Sequence, residues 1–314
     1  MVYIGIDLGG TNIAVGVVDE NGRILCKGST PTLLPRPYGP IVEDIAKCSL
    51  ETLKRSGHTL DEVASLGVGV PGIFDAKTGN IPFCTNLGWH DVPLVSELQK
   101  YIDKPVYVDN DATVAGLAES VAGISAGVPN SVFLTLGTGV GGGIVIGGKV
   151  YSGSHGIGSE IGHMIIELDG EQCTCGNYGC FERYASATAL IREGRKAYAQ
   201  HPDSLIGELC GGDPERISAK TVIDAAKEGD PIATKVFRRY VRALASGIIN
   251  IVNVLDPEVV VLGGGVSMAG DFLLEAVREA VKPLIFFKTM PYARIELAKL
   301  GPDAGIIGAA MLGK

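Results

Sequence analysis

Apolar residues along this chain gather in short runs that stop at glycines. From Val2 to Val18 one such run is broken by Gly9-Gly10, so YIGIDLG and IAVGVVD read as two strands joined by a tight loop. The Asn21-Gly22 pair marks the next turn and RILCKGST reads as a third strand, which makes a meander and not a strand–helix–strand unit. Spacing at Ile41, Ile45, Cys48, Leu50 and Leu53 predicts a helix from Pro40 to Ser56. SLGVGVPG reads as a buried strand entering a Pro-Gly turn, VSELQKYI as a short helix, and PVYVDND as a strand ending in polar residues. ATVAGLAESVAG follows as an Ala-rich helix. SVFLTLG, TGVGG and GIVIGGKVY then repeat the strand, Gly-rich turn, strand grammar of the N-terminus. PEVVVLGGGVS predicts a strand entering a further Gly turn, and DFLLEAVREAV a helix with Phe272, Leu273, Ala276, Val277, Ala280 and Val281 on one face. The polar, Gly-rich stretch from Leu205 to Ser218 reads as a surface excursion.

Composition narrows the class. A length of 314 residues suggests two domains. The 44 glycines follow no three-residue period, which excludes a collagen-like chain. A net charge of −8 argues against nucleic acid as a partner, since phosphate backbones are bound through clustered Lys and Arg. A nucleotide stays open, because a triphosphate can be held by backbone N–H groups, a metal ion and helix N-termini. No basic leader, cleavage site or long apolar window is visible, so the expectation is a cytoplasmic protein without a membrane partner. The seven cysteines do not make a disulfide scaffold, but three of them fall between Cys173 and Cys180, which points to metal before disulfide.

Two Gly-rich turns carry candidate chemistry. In Asp7-Leu8-Gly9-Gly10-Thr11-Asn12 a carboxylate ends a strand, two glycines allow close backbone approach, and a hydroxyl follows that could reach an oxyanion; a plain hairpin is the alternative. Gly137, Gly139 and Gly142 match a dinucleotide-binding spacing, but a strand-like segment follows where that fingerprint requires a helix. No Walker-type lysine is present in either turn. What remains is a pair of turns able to hold phosphates. Asp109-Asn110-Asp111 closes a strand ahead of a helix, where acidic residues cap helices as readily as they catalyse; for Asp109 the capping explanation suffices. Glu160 and His163 share a face if their segment is helical. His163 with Cys173, Cys175 and Cys180 makes a Cys3His set suited to tetrahedral zinc with no spare ligand, hence structural; random clustering or a redox pair is the alternative. Trp89 could wall a pocket by stacking or pack in the core.

In sequence the chain resembles the ROK family of repressors, open reading frames and kinases. The resemblance rests on DLGGTN at 7–12, GVGVPG at 67–72, TNLGW at 85–89, VDNDA at 108–112, LGTGVGGG at 136–143, GSEIGHM at 158–164, CTCGNYGCFE at 173–182 and LGGGVS at 262–267. It implies an α/β actin-like ATPase (ribonuclease H-like) fold of two domains with an interdomain active-site cleft. The expected domains are 1–115 plus 303–314, and 116–302, the second carrying the zinc-binding loop and dimer contacts. The activity implied is ATP-dependent phosphorylation of a hexose on its 6-hydroxyl, with glucose favoured. N-acetylmannosamine or N-acetylglucosamine kinase is the first alternative and a sugar-responsive repressor the second. The resemblance assigns Asp111 as general base and Gly72, Asn86, Asn110, Glu160, His163 and Glu182 as sugar ligands. Asp7, Gly9, Gly10, Thr11, Asn12, Gly137, Thr138, Gly139, Gly264 and Gly265 would surround the nucleotide, Asp7 holding Mg2+ through water. In the family the zinc orders the loop that carries the sugar site, and the assembly is a homodimer or homotetramer. One departure is Asn12, where the family usually has Lys, which leaves one positive charge fewer near the nucleotide.

Overall fold

The alternation of apolar positions at the N-terminus produces a meander of β1 (Val2–Leu8), β2 (Asn12–Asp19) and β3 (Ile24–Pro31), each antiparallel to the last. The structure is a computed structural model that describes residues 1–75 and 77–314. Helix α1 (Tyr38–Arg55) follows and buries Ile41, Val42, Ile45, Ala46 and Leu53, while Leu50, expected on that face, is exposed. Then come β4 (Val63–Val70), the strands β5 (Ile73–Asp75), β6 (Asn80–Cys84) and β7 (Trp89–Val92), α2 (Leu94–Gln99), β8 (Val106–Asn110) and α3 (Asp111–Ala122). The first sheet has the order β3-β2-β1-β4-β8, with β5-β6-β7 forming a separate three-stranded sheet. Strands β1, β4 and β8 run parallel, so their carboxyl ends lie side by side: Asp7 is level with Gly69, and Gly69 with Asp109. In open α/β sheets that edge is where ligands bind.

The remaining elements are β9 (Ser131–Leu136), β10 (Val140–Ile146), β11 (Lys149–Val150), α4 (Glu182–Ala185), α5 (Ala187–Gln200), α6 (Leu205–Leu209), α7 (Ala219–Lys227), α8 (Pro231–Leu255), β12 (Val259–Gly263), α9 (Asp271–Val281), β13 (Arg294–Leu297) and α10 (Ala304–Met311). The second five-stranded sheet has the order β11-β10-β9-β12-β13. GIVIGGKVY is not one strand, because Gly147 and Gly148, both with positive φ, turn β10 back into β11. The stretch 205–218 is less of an excursion than its composition suggests. It forms α6, buries Ile206 and Cys210, and accepts a 2.9 Å bond from the Tyr198 hydroxyl at the Gly212 carbonyl. Among the described residues no helix is long and apolar enough to cross a membrane.

The chain divides into two compact units whose limits differ from the expected ones. Unit 1 comprises Met1–Phe133, Gly143–Ser159 and Lys299–Lys314, and unit 2 comprises Leu134–Gly142 and Glu160–Ala298. A boundary at residue 115 would cut α3 in half, yet α3 packs against α10 on both sides of it, through Val114 and through Leu117 and Ala118. That packing is at backbone distance: a Cβ on Gly308 would lie 1.8 Å from the Val114 carbonyl oxygen, and one on Gly67 of β4 1.7 Å from that of Ala309. The return to unit 1 also begins before residue 303, because the N–H groups of Lys299 and Leu300 bond to Glu119 of α3. Unit 1 thus draws its core from both ends of the chain, with Val18, Leu117, Ala118, Ile306, Ile307, Ala310 and Met311 in one cluster.

Candidate active site

On unit 1 the assigned residues converge on the carboxyl ends of β1, β4 and β8. The loop after β1 is a turn closed by a 3.0 Å bond from Gly9 N–H to the Asn12 carbonyl. Its outer side leaves Thr11 and Asn12 exposed. Its inner side is held by Thr32, a fully buried residue whose hydroxyl donates to the Gly9 carbonyl at 2.7 Å and whose N–H donates to the Thr11 carbonyl at 2.9 Å. Thr32 was not singled out from sequence, since nothing local marks a threonine at the end of a third strand as the brace of the first loop. Asn86 is exposed, and its backbone carbonyl lies 3.3 Å from where a Cβ on Gly10 would stand.

Asp7 ends β1 with its carboxylate against the first turn of α10, where a Cβ on Gly305 would meet Oδ2 at 2.5 Å. Burial pushes its pKa above the usual carboxylate value. A desolvated carboxylate without a paired cation is costly, so a bound divalent cation suits this position.

Asn110 and Asp111 occupy the junction of β8 and α3. Asn110 is the helix cap: its Oδ1 accepts from Ala112 N–H at 2.9 Å, and its Nδ2 reaches the Gly72 carbonyl at 3.4 Å. Asp111 is the first helical residue, exposed, with Oδ1 accepting from the same Ala112 N–H at 2.8 Å. Asp109, explained from sequence as a capping charge, does not cap. It accepts from Ser152 Oγ at 2.7 Å and from Asn110 N–H at 2.8 Å, and burial raises its pKa. Trp89 is buried in the unit 1 core, so its two open roles resolve to packing.

On unit 2 the second Gly-rich turn is closed by Gly137 N–H donating to the Gly139 carbonyl at 3.0 Å. Thr138 is exposed at its tip. The start of α5 supports this turn: Ala187 N–H donates to the Gly137 carbonyl at 2.8 Å and the Thr188 hydroxyl to the Thr138 carbonyl at 2.7 Å. Gly264 has φ of +81°, and a Cβ there would lie 2.6 Å from the Leu136 nitrogen, so this glycine rests on the strand end that launches the turn. Gly265 has open space in front of it.

The same unit gathers His163, Cys173, Cys175 and Cys180, whose ligand atoms all lie within 4.8 Å of one another. A turn of 3-10 helix over Ile161–His163 carries the histidine, and a tight reversal brings the cysteines in, with Cys173 N–H on the Asn177 carbonyl at 2.7 Å and Phe181 N–H on that of Met164 at 2.7 Å. The imidazole faces two ways. Nδ1 is 3.8 Å from Cys173 Sγ, and Nε2 is 3.9 Å from Glu160 Oε2. Cys173 Sγ also donates to Glu182 Oε1 at 3.1 Å, and the other carboxylate oxygen of Glu182 faces Gly139. Burial and the two neighbouring thiols push Cys180 up to about 12. Three sulfurs this close cannot all ionise unaided, whereas a dication among them would stabilise three thiolates. The donor set therefore fits a tetrahedral metal ion.

Fold and site together define an α/β protein of the actin-like ATPase type with two phosphate-loop candidates, a helix-head carboxylate and a Cys3His cluster. The family match spans residues 3–314, and the chain belongs to the ROK family. A glucokinase of Thermotoga maritima is 40% identical over 310 residues, covering 98% of this chain and 96% of its own length. A glucokinase of Streptomyces coelicolor is 37% identical over 314 residues, covering 99% and 97%. A ROK family glucokinase from Streptomyces griseus, solved in complex with glucose and AMPPNP, superposes with a TM-score of 0.82 at 36% identity and covers 99% of both chains.

Proposed function

We propose that this protein transfers the γ-phosphoryl group of ATP to the 6-hydroxyl of glucose. The observation that carries the reading is Asp111: an exposed carboxylate at the head of α3, fixed by Ala112 N–H and flanked by Asn110 and Gly72. A sugar alcohol is a poor nucleophile, and such a carboxylate takes its proton as the new P–O bond forms. The leaving group is ADP, and charge neutralisation and positioning supply most of the acceleration. The likeness to glucokinases over nearly the full chain supports glucose over other hexoses and over N-acetylhexosamines.

In this reading unit 1 supplies the base, the sugar contacts of Gly72, Asn86 and Asn110, and the phosphate contacts of Gly9, Gly10, Thr11 and Asn12. Asp7 holds Mg2+ through water, and that ion neutralises phosphate charge when bound. Unit 2 supplies phosphate contacts at Gly137, Thr138 and Gly139, adenosine packing on Gly264 and Gly265, and the sugar hydroxyl ligands Glu160, His163 and Glu182. His163 Nδ1, Cys173, Cys175 and Cys180 hold a structural zinc ion, which leaves the Nε2 edge of the imidazole for Glu160 and the sugar. The working form is a homodimer, which light scattering of the purified chain tests.

An ATP-coupled assay over hexoses and N-acetylhexosamines decides the reading. Glucose should give the highest kcat/KM. Failure to release ADP with any of the sugars would overturn the enzyme assignment, and preference for an N-acetylhexosamine would move the substrate.

A further inference from the structure

Glu119 is the only charged side chain among the described residues that is fully buried, at 0% exposure. It stands in the last turn of α3, where the negative end of the helix disfavours an anion. Burying a carboxylate there is costly unless its oxygens are fully engaged. They are engaged by three backbone N–H groups: Ile124 donates to Oε2 at 2.8 Å, and Lys299 and Leu300 donate to Oε1 at 2.9 and 2.8 Å. Gly123 leaves room for this, since a Cβ on it would lie 1.9 Å from Oε2.

The Ile124 bond is local and could belong to an ordinary helix end. The other two join α3 to a segment 180 residues away in sequence. That segment leads, through a single 3-10 turn over Gly301–Asp303, into α10. The first turn of α10 is what abuts the Asp7 carboxylate, at Gly305. One end of α3 therefore carries Asp111, and the other end fixes the approach of the helix that backs Asp7. A hydrocarbon here would leave all three N–H groups without an acceptor, so the approach of the Lys299–Leu300 segment depends on this one carboxylate.

We infer that Glu119 is a positioning residue: by clamping the Lys299–Leu300 backbone to α3, it sets the spacing between the Asp7 and Asp111 carboxylates. The inference rests on the sugar-kinase reading of those two residues. Removing the clamp frees the start of α10 and shifts the metal-side carboxylate relative to the base, while the sugar contacts of Asn86, Asn110 and Gly72 stay in place.

Two variants test it. Glu119→Gln keeps the shape but turns an amide N–H2 toward a backbone donor. Gly123→Ala leaves the charge and pushes a methyl into Oε2. Amide hydrogen exchange over residues 296–303 reads the clamp without reference to activity, and wild-type protein should show slow exchange at Lys299 and Leu300. Both variants should lose that protection. They should lower kcat about 10- to 100-fold, as misplacement by an ångström does, raise the Mg2+ concentration for half-maximal rate, and leave KM for glucose within about two-fold. Lost protection with unchanged kcat and Mg2+ dependence would overturn the positioning role, as would unfolding of both variants or fast exchange in the wild type. Wild-type protein that phosphorylates no sugar would instead remove the reading on which the role depends, with the exchange result standing by itself.

Discussion

The residues assigned on unit 1 and those assigned on unit 2 are held by different physics. On unit 1 the chain's own packing does the work. Parallel strands bring Asp7 and the Asn110-Asp111 pair to one edge, Thr32 braces the first loop, and α10 locks in at backbone distance through Gly67 and Gly308. On unit 2 the assigned sugar ligands Glu160 and Glu182 flank a centre of four side chains that could hold a metal ion. Glu160 and Glu182 are each tied to that centre by one contact, to His163 and Cys173 respectively. One set is built by burial and hydrogen bonds, and the other surrounds a donor set that fits a metal ion. Perturbations should therefore separate catalysis, metal dependence and stability.

The largest effect is expected at the base. Asp111→Asn should keep glucose binding by calorimetry and lower kcat by at least about 100-fold, the low end of general-base contributions. Near-normal turnover would take Asp111 out of the role. Next comes the ion. Elemental analysis should find about one zinc per chain, on the Cys3His stoichiometry. Stripping it, or replacing Cys175 with Ser, should raise KM for glucose about 10-fold, the scale of disturbed metal shells, with hydrogen exchange rising over 160–182 and not over unit 1. Full activity in metal-free protein would contradict the site. Stability of unit 1 follows: Gly308→Val forces a side chain onto the Val114 carbonyl and should cost about 3 kcal/mol in a denaturant titration. Unchanged unfolding would mean α10 is not wedged as described. The smallest change is Thr32→Val, which removes the donor to the Gly9 carbonyl and should cost about 1 kcal/mol with a modest rise in KM for ATP. A rise in KM for glucose alone would place the first loop on the sugar instead.

Much of this was legible in the residues themselves. The Gly-Gly break after Asp7, the repeated turn at Gly137 and the cluster from Cys173 to Cys180 each announce themselves locally, because turns and metal sites need particular residue types at short spacing. Less legible were the braces. Thr32, Thr188 and Glu119 act on backbone atoms far away in sequence, and a hydroxyl or carboxylate that bonds to a main chain leaves no local pattern. Asp109 misled for the opposite reason: it stands beside a helix start and looks like a cap, yet Asn110 makes the capping bond and Asp109 turns to Ser152. The small sheet of β5, β6 and β7 went unread because its strands are short and only partly apolar. The domain limits moved because α3 runs on past residue 115 and because residues 143–159 and 299–302 also join unit 1, while the far-end partner of α3, the last helix, was expected there.

That far-end partner has a consequence for synthesis. Domains fold as units as the chain emerges, N-terminal first by default. Here β1, β4 and α3 are made early, but the helix that fills the space between them is residues 304–311. Until those residues leave the ribosome, the apolar faces of Ile306 and Ile307's future neighbours, Val18 and Leu117 among them, stay without their cover. The first-made unit is therefore closed only when residues 304–311 have emerged, and until then it presents an uncovered apolar surface.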